Sequence, residues 1–322
     1  MERKSAVTAD STRTCALTDG HAGNVRQALA LARALGRVAD EIVLTPRAPW
    51  RWVAPRTLPG SAQAFGPGFH AMWDAPPALA IGCGRQAALA TRLLRARGSR
   101  AVQILNPRID LSHWDLVIAP EHDGLTGPNV LTLLGSLNPV DEAWLTDARA
   151  AFPAFAALPS PRTATLVGGG SAHYAFDIAA FERLAARLNE AATDGSLLVT
   201  TSRRTPADVV AALRQRFASR ADTVLWCDPS DGPNPYAGLL AWADRIVCTP
   251  DSVNMLSEAC ATEAPVQVFE PERVDGRPRR FLDALQQRGR IRALNGAITP
   301  FAVEPLRETA RIAADVRARL MR

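Results

Sequence analysis

The feature that most constrains the fold of this chain is an alternation of short apolar runs with segments of helical periodicity. Eleven runs of four to six residues, rich in Val, Ile and Leu, recur along the sequence. Several of the segments between them, residues 24–35, 85–96, 178–191 and 206–217, have apolar residues every three or four positions. Apolar runs without polar alternation are typical of strands buried on both faces of a parallel sheet. The pattern therefore predicts an α/β protein.

The apolar runs form two groups, which predicts two domains. Six runs precede the segment 151–162, which carries three prolines, and five runs follow it. We expect two Rossmann-like, doubly wound domains facing a cleft, at residues 1–155 and 156–302. Residues 303–322 follow a break at Pro300 and are predicted to form one amphipathic helix.

Composition restricts the classes of function. Hydrophobic residues make up 47% of the chain and charged residues 21%, which is ordinary for a globular protein. No apolar stretch is long enough to cross a membrane, and the N-terminus lacks the apolar core of a secretory signal. We therefore expect a cytoplasmic protein. The five cysteines form no CxxC pair and are predicted to be small buried hydrophobes rather than metal ligands.

The net charge of +5, mostly from arginine, suits an anionic ligand such as a nucleotide phosphate or an acidic membrane surface. No Lys/Arg run is interleaved with aromatic residues, so we expect no nucleic-acid partner.

The first apolar run leads into a polar turn, "TDGHAGN", that contains a histidine. In an open parallel sheet, ligands bind outside the carboxyl ends of the strands, so this turn is a candidate site. One interpretation is a tight turn in which Asp19 or Asn24 caps a helix that starts near Asn24. Neither a turn nor a cap requires His21, which makes His21 the first candidate for a catalytic base. Asp19 and His122, in the later loop "PEHDG", are the reserve candidates.

Two loops of the second half suit a ligand that carries phosphates. Gly169, Gly170 and Ser171 directly follow an apolar run, and glycines allow a phosphate to approach the backbone closely. The alternative is a flexible turn. Ser202, Arg203 and Arg204 precede a helix whose N-terminus disfavours cations, so a nearby anion would offset their charge. The alternative here is a solvated pair of charges.

The segment 245–269 predicts a strand, a capped helix and another strand. Asp251 or Ser252 is expected to cap the helix, and Glu258 follows Ser252 by six residues. That spacing is about one and two-thirds helical turns, so the carboxylate lies within reach of a ligand at the helix N-terminus. A carboxylate suits a ribose diol better than a phosphate. The alternative is an ordinary surface glutamate.

Together, "LTDGHAGNVRQALALA", "PEHDG", "GGGSAHYAF", "TTSRRTP" and "TPDSVNMLSEAC" resemble the plant elongated-mitochondria fission-factor family and its bacterial relatives. That family is in turn similar to GT-B glycosyltransferases such as the N-acetylglucosaminyl transferase that forms lipid II. The resemblance implies that the first domain faces an acceptor and the second binds a nucleotide sugar. It places Asp251, Ser252, Asn254 and Glu258 on the helix that binds the nucleotide sugar. It also places the glycine loop, Gly169 to Ser171, at the phosphates of that ligand.

The resulting hypothesis is an inverting glycosyltransferase that moves a sugar from a nucleotide-diphosphate donor, with UDP as the expected nucleotide, to a glycolipid or polysaccharide. No cofactor is expected besides the donor substrate. The sequence lacks an Asp-x-Asp triplet, so it predicts no metal site, and "EHD" at residues 121–123 is weak evidence for one. Two alternatives stay open: a nucleotide-sugar epimerase or hydrolase on the same fold, and a non-enzymatic interaction protein at a membrane.

Residues 46–73 combine aromatic and basic side chains in a proline-rich stretch that we expect to have little regular structure. The residues concerned are Arg47, Trp50, Arg51, Trp52, Arg56 and Trp73. Tryptophan favours membrane interfaces and arginine is attracted to anionic headgroups, so this loop is the candidate contact with the cytoplasmic leaflet. The alternative is that its tryptophans fold back onto the first domain as a satellite core.

Overall fold

The computed structural model describes residues 10–192, 194–217, 220 and 222–320. The chain divides into two compact units. Unit 1 contains the described residues up to Pro139 together with those from Glu308 onward, and unit 2 is Val140–Arg307. Each unit contains a six-stranded parallel sheet flanked by helices. This architecture confirms the predicted α/β class with two Rossmann-like domains.

Unit 1 is built around the sheet order β2-β1-β3-β4-β5-β6. Its strands are β1 (Asp10–Thr18), β2 (Asp40–Val43), β3 (Pro77–Cys83), β4 (Arg100–Ile104), β5 (Leu116–Pro120) and β6 (Val130–Leu133). Its first four helices are α1 (Ala22–Ala34), α2 (Trp50–Val53), α3 (Pro67–Asp74) and α4 (Arg85–Arg95).

Unit 2 has the sheet order β12-β11-β10-β7-β8-β9. Its strands are β7 (Arg162–Val167), β8 (Ser196–Thr201), β9 (Thr223–Trp226), β10 (Arg245–Cys248), β11 (Val266–Val268) and β12 (Ile291–Ala293). Its helices are α5 (Glu142–Ala151), α6 (Ile178–Ala191), α7 (Ala207–Phe217), α8 (Tyr236–Trp242), α9 (Val253–Cys260) and α10 (Gly276–Gln287). The last helix of the chain, α11 (Thr309–Leu320), belongs to unit 1.

All eleven apolar runs lie in or overlap a strand, and the structure adds β12. β12 is an edge strand of three residues, one of them an exposed arginine, so it lacks the apolar run that marks the inner strands. The five cysteines are buried and not in disulfides, as predicted.

The C-terminal helix starts later than predicted. Residues 303–308 are not helical, and α11 begins at Thr309. Pro305 disfavours helical backbone in the residue before it, and the Leu306 amide donates to the Cys260 carbonyl at 2.8 Å. Helix α11 completes the core of unit 1 because Ile312 and Val316 are fully buried against side chains of its sheet and of α1.

The division between the units falls at residues 139 and 140, ahead of the proline-rich segment 151–162. Helix α5 and the residues after it pack within unit 2. The Arg149 guanidinium donates to the Ala241 carbonyl at 2.9 Å, and Phe152 lies so close to Gly238 that an added Cβ would approach its ring to 2.6 Å. Close packing on α8 therefore assigns this segment to unit 2.

The segment 46–73 contains regular structure, contrary to the sequence-based expectation. It forms α2, a 3₁₀ turn at Ser61–Gln63 and most of α3. Phe69 and Met72 are buried in a core cluster of unit 1, and Trp50 and Trp73 pack partly buried against it. The segment is thus largely a satellite core, as the alternative interpretation proposed, although Trp52 is 64% exposed.

Each sheet reverses its direction of winding at one pair of neighbouring strands. The reversal lies between β1 and β3 in unit 1, and between β7 and β10 in unit 2. Loops that leave adjacent strands there diverge to opposite faces of the sheet and leave a crevice, which is where doubly wound proteins bind ligands. The loops after β1, β7 and β10, which are candidate sites in the sequence, leave strands at these two reversals.

Candidate functional site

The glycine loop after β7 is in tight contact with the loops of both neighbouring strands. The Gly168 amide donates to Thr249 Oγ1 at 2.7 Å, and the Gly169 amide donates to Asp251 Oδ2 at 3.0 Å. A Cβ on Gly168 would lie 1.9 Å from Asp251 Oδ1, and one on Gly169 would lie 2.1 Å from the Arg204 carbonyl oxygen. Only glycine fits at either position, so these residues shape the loop whether or not a ligand is bound.

Asp251 lies beneath this loop rather than at its surface. Its side chain has no solvent exposure. Besides the Gly169 amide, it accepts hydrogen bonds from Thr249 Oγ1 at 2.7 Å and from the half-exposed Arg204 guanidinium at 2.8 Å. A buried carboxylate with three donors holds the loops of β7, β8 and β10 together. The structure therefore gives Asp251 a positioning environment, whereas the family resemblance implies a contact with the ligand.

The loop after β8 closes the other side of the glycine loop. Thr205 Oγ1 donates to the Gly168 carbonyl at 2.6 Å, and Ser202 Oγ accepts from the Arg204 amide at 3.2 Å. Arg203 and Arg204 are exposed. The structure thus brings together the three predicted binding segments, which leave the adjacent strands β8, β7 and β10, with two guanidinium groups at the surface.

The upper part of the glycine loop offers fewer backbone donors than the sequence suggested. The Gly169 amide is taken by Asp251, and the Ser171 amide donates to the Tyr174 carbonyl at 2.8 Å. Of Gly169, Gly170 and Ser171, this leaves the exposed Gly170, whose amide has no hydrogen-bond acceptor among the described residues. An anion here would bind the Gly170 amide and the arginines rather than a ring of amides.

Helix α9 starts at the same edge of the sheet. Ser252 is its N-cap and accepts from the Met255 amide at 3.4 Å, which confirms one of the two predicted caps. Asn254 lies half-buried in the first turn. Uncapped amides of a first helical turn attract anions, and this turn adjoins the glycine loop through the Asp251 contacts.

Glu258 is not a surface glutamate. It is 2% exposed, and its Oε2 atom accepts a hydrogen bond from the Tyr236 hydroxyl at 2.5 Å. Sequence reasoning missed Tyr236, which is half-buried at the start of α8 and lies 22 residues before Glu258. One clue was available: the chain has two tyrosines, and both lie in unit 2.

In unit 1, the turn after β1 organises a histidine and a carboxylate. Asp19 Oδ1 accepts from the His21 amide at 3.1 Å and from Asn24 Nδ2 at 2.9 Å, and lies 3.0 Å from His21 Nδ1. Burial raises the pKa of Asp19, but the hydrogen bonds from Asn24 and His21 outweigh it and leave the pKa below its usual value. Helix α1 begins at Ala22, two residues before the predicted start, and neither Asp19 nor Asn24 caps it.

This geometry selects one tautomer of His21. When Nδ1–H donates to the Asp19 carboxylate, the neutral imidazole carries its lone pair on Nε2. The side chain of His21 is 73% exposed, so Nε2 is accessible to a reactant. The pair has the arrangement of a general base with an orienting acid.

His122 lies in a 3₁₀ turn, Glu121–Asp123, after β5. Strands β3 and β4 separate β5 from β1, so the strand ends are about 14 Å apart. The sheet therefore does not bring His122 next to Asp19 and His21. Among the described residues, no group of three His, Cys, Asp or Glu side chains could hold a metal ion, and metal independence stays a prediction.

Two six-stranded parallel sheets, each flanked by helices, are the architecture that this chain shares with glycosyltransferases of the GT-B fold. The structure of Os79 from O. sativa, in complex with UDP, superimposes with a TM-score of 0.52 at 12% identity, covering 95% of this chain and 94% of that one. That identity supports a shared fold alone.

The chain belongs to the mitochondrial fission ELM1 family, whose model matches residues 22–320. The mitochondrial fission protein ELM1 of Arabidopsis thaliana is 32% identical over 276 residues, which cover 76% of this chain and 64% of the relative. This chain therefore spans less than two thirds of that relative's length. The uncharacterised protein RP120 of Rickettsia prowazekii (strain Madrid E) is 26% identical, with 92% of this chain and 95% of that protein covered. These matches confirm the family resemblance predicted from the sequence.

None of the helices in the described part of the chain is long and apolar enough to span a membrane.

Proposed function

We propose that this protein is a metal-independent, inverting glycosyltransferase that uses a nucleotide-diphosphate sugar, with UDP as the nucleotide. One observation carries the proposal: the loops after β8, β7 and β10 contact one another beside the switch point of unit 2, with Arg203 and Arg204 exposed next to the glycine loop. Such a site suits a ligand with a negatively charged diphosphate.

The donor contacts follow from the loop geometry. The diphosphate binds the Gly170 amide, Ser171 Oγ and the guanidinium of Arg203, with Arg204 held in place by Asp251. The first turn of α9, with Ser252 and Asn254, adds a positive helix dipole. The ribose hydroxyls contact the half-buried Tyr236 hydroxyl, which the buried Glu258 carboxylate holds in place.

His21 is the proposed base. Nε2 accepts the proton of the acceptor hydroxyl while the hydroxyl oxygen attacks the anomeric carbon and forms the new glycosidic bond. The bond between that carbon and the diphosphate oxygen breaks, and the nucleoside diphosphate leaves with the electron pair. Attack opposite the leaving group inverts the anomeric configuration. Asp19 stabilises the imidazolium cation through Nδ1.

Two competing hypotheses differ in their products. A nucleotide-sugar epimerase or hydrolase converts the donor without an acceptor, whereas a transferase needs a glycolipid or polysaccharide hydroxyl. A non-enzymatic membrane partner converts nothing. Chromatography of donor and products, with and without acceptor, separates the three.

Arg203→Ala is expected to weaken UDP binding about tenfold to a hundredfold, because a charged hydrogen bond contributes about 1.5–3 kcal/mol. Isothermal titration calorimetry with UDP measures the effect. Arg216→Ala is the matched control, since Arg216 is an exposed arginine of the same unit, in the last turn of α7. Equal losses in the two variants would show that the effect is one of general charge and not of the proposed site.

Chelation is expected to leave UDP affinity unchanged, because arginines and amides supply the charge that a metal ion would otherwise supply. The same titration in EDTA, followed by addition of Mg²⁺ or Mn²⁺, measures this. Loss of binding in EDTA with recovery on metal addition would refute metal independence and draw attention to the turn at Glu121–Asp123.

Peripheral contact with an anionic membrane is a further part of the proposal. It rests on the exposed Trp52 and on Arg51, whose Cζ atom lies 6.0 Å from the centroid of the Trp52 ring. Trp52→Ala is expected to reduce sedimentation with anionic vesicles several-fold, because exposed tryptophan favours the interface. Val38→Ala is the control, because Val38 is an exposed apolar residue of the same unit. Trp73 would not serve, because it packs on the core. Identical sedimentation of all three proteins contradicts the assignment.

A further inference from the structure

A cavity of about 710 Å³ lies in unit 1, at the sheet edge opposite to the turn that holds His21. It is formed where α4 ends and β4 begins, so β4 separates it from the carboxyl edge by about 16 Å. The side chains that give the cavity its chemistry are Arg92, Arg95, Ser99, Arg100, His113 and Asp115. The proposed transferase mechanism uses none of them.

The cavity gathers more positive charge than its carboxylate offsets. One carboxylate oxygen of Asp115 accepts a hydrogen bond from Arg95 Nε at 3.0 Å, and the other accepts one from the Ala101 amide at 2.7 Å. The Arg92 guanidinium donates to a neutral acceptor, the Pro55 carbonyl, at 3.2 Å. In the described part of the chain, no carboxylate pairs with Arg100. Three guanidinium groups thus line one cavity with a single carboxylate.

Helix electrostatics explains part of this arrangement. Arg92 and Arg95 lie in the last turn of α4, where the helix dipole favours cations. That argument does not apply to Arg100, which opens β4, or to His113, which ends a 3₁₀ turn at Leu111–His113. Guanidinium groups from two elements, with an imidazole from a third, line one cavity and indicate an anion-binding site rather than ordinary helix capping.

The surroundings of His113 and Arg92 disfavour a positive charge on either side chain. Burial lowers the pKa of His113, and the positive charges of Arg92 and Arg95 lower it further, against an opposing effect of Asp110. Burial also lowers the pKa of Arg92, which Asp110 partly offsets. A bound anion would reduce the repulsion among these groups.

Ser99 provides a second, independent observation. It is 3% exposed, and its hydroxyl has no hydrogen-bond partner among the described residues although it lines the same cavity. Buried hydroxyls in folded proteins are almost always bonded, so the missing partner points to a ligand atom. A hydroxyl donor beside guanidinium groups is a combination that binds phosphoryl oxygens.

We propose that this cavity binds a phosphate monoester of a small polar molecule. A phosphate group fills a small part of about 710 Å³, a volume in the range of small-molecule sites, so there is room for an attached organic group. Leu93 and Ala96 supply the apolar side chains of the lining, and most of its other side chains are polar or charged, which favours a polar group such as a sugar over a hydrocarbon. The site is independent of the proposed transferase function, since it lies in unit 1 and requires no donor.

Calorimetry with inorganic phosphate and with glucose 6-phosphate, on the full chain saturated with UDP, tests the proposal. Arg100→Ala is expected to weaken binding of either probe at least tenfold, because one charged hydrogen bond is lost. Ser99→Ala is expected to weaken it several-fold, with no loss of thermal stability because its hydroxyl has no protein partner. Arg33→Ala is the matched control, since Arg33 is an exposed arginine in the last turn of α1, and it should bind like the wild type.

Equal affinities of wild type and Arg100→Ala, or no binding of either probe by the wild type, would overturn the proposal. Failure of UDP to bind would contradict the proposed function and leave this proposal to be tested separately. The comparison of wild type with Arg100→Ala would then be made without UDP. Vesicles with and without phosphatidic acid distinguish the source of the phosphate. Sedimentation that needs both phosphatidic acid and Arg100 identifies a lipid headgroup, and binding of glucose 6-phosphate without such sedimentation identifies a free metabolite.

Discussion

Gly168→Ala is expected to lower the free energy of unfolding of unit 2 by about 3 kcal/mol or more. The added Cβ would lie 1.9 Å from Asp251 Oδ1, and that carboxylate is held in place by Thr249, Arg204 and the Gly169 amide. The carboxylate has no room to retreat because its side chain has no solvent exposure. Urea unfolding followed by circular dichroism measures the loss.

Two further variants make this result specific. Gly170→Ala lies two residues along the same loop, where the nearest atom to a new Cβ is 3.8 Å away, and should cost less than about 1 kcal/mol. In an Asp251→Ala background the clashing carboxylate is gone, so Gly168→Ala should become nearly neutral, with a coupling of about 2 kcal/mol or more. Equal costs at positions 168 and 170, or additive costs with Asp251→Ala, would contradict the packing argument.

His21→Ala is expected to slow sugar transfer about a hundredfold to ten-thousandfold, the usual contribution of a general base. UDP affinity should stay unchanged, because His21 lies in unit 1 and the proposed nucleotide contacts lie in unit 2. Release of UDP from UDP-sugars, with lipid extract or polysaccharide as acceptor, measures the rate. His70→Ala, at an exposed histidine of α3, is the matched control.

Chemical rescue separates a base from a structural residue. The His21 side chain is 73% exposed, so free imidazole can reach the space that His21→Ala leaves, and should restore part of the rate. Asp19→Ala should slow transfer less than His21→Ala does, because it removes the charge that stabilises the imidazolium and leaves the imidazole in place. Full activity of His21→Ala would eliminate His21 as the base and leave Asp19 and His122 as the candidates to be tested.

Much of the fold could be predicted from local sequence. A strand buried on both faces must be apolar throughout, so the runs that became β1 to β11 are visible in the sequence without any knowledge of their neighbours. The candidate loops could be predicted for a related reason, since a parallel sheet places the carboxyl ends of its strands at one edge. The glycine-rich loop with Gly169 and Gly170 and the N-cap Ser252 are likewise local features.

The tertiary structure decided which groups meet. Asp251, which the family resemblance places at the ligand, is buried and holds three loops together, and its partners lie up to 82 residues away in sequence. Glu258 is buried, and its hydrogen-bond donor Tyr236 lies on a different helix, 22 residues earlier in the chain. The edge strand β12 and the late start of α11 depend on pairing and packing partners rather than on local pattern. Local sequence determines which faces must be buried, whereas strand order and long-range contacts determine what each buried group touches, and no periodicity encodes those.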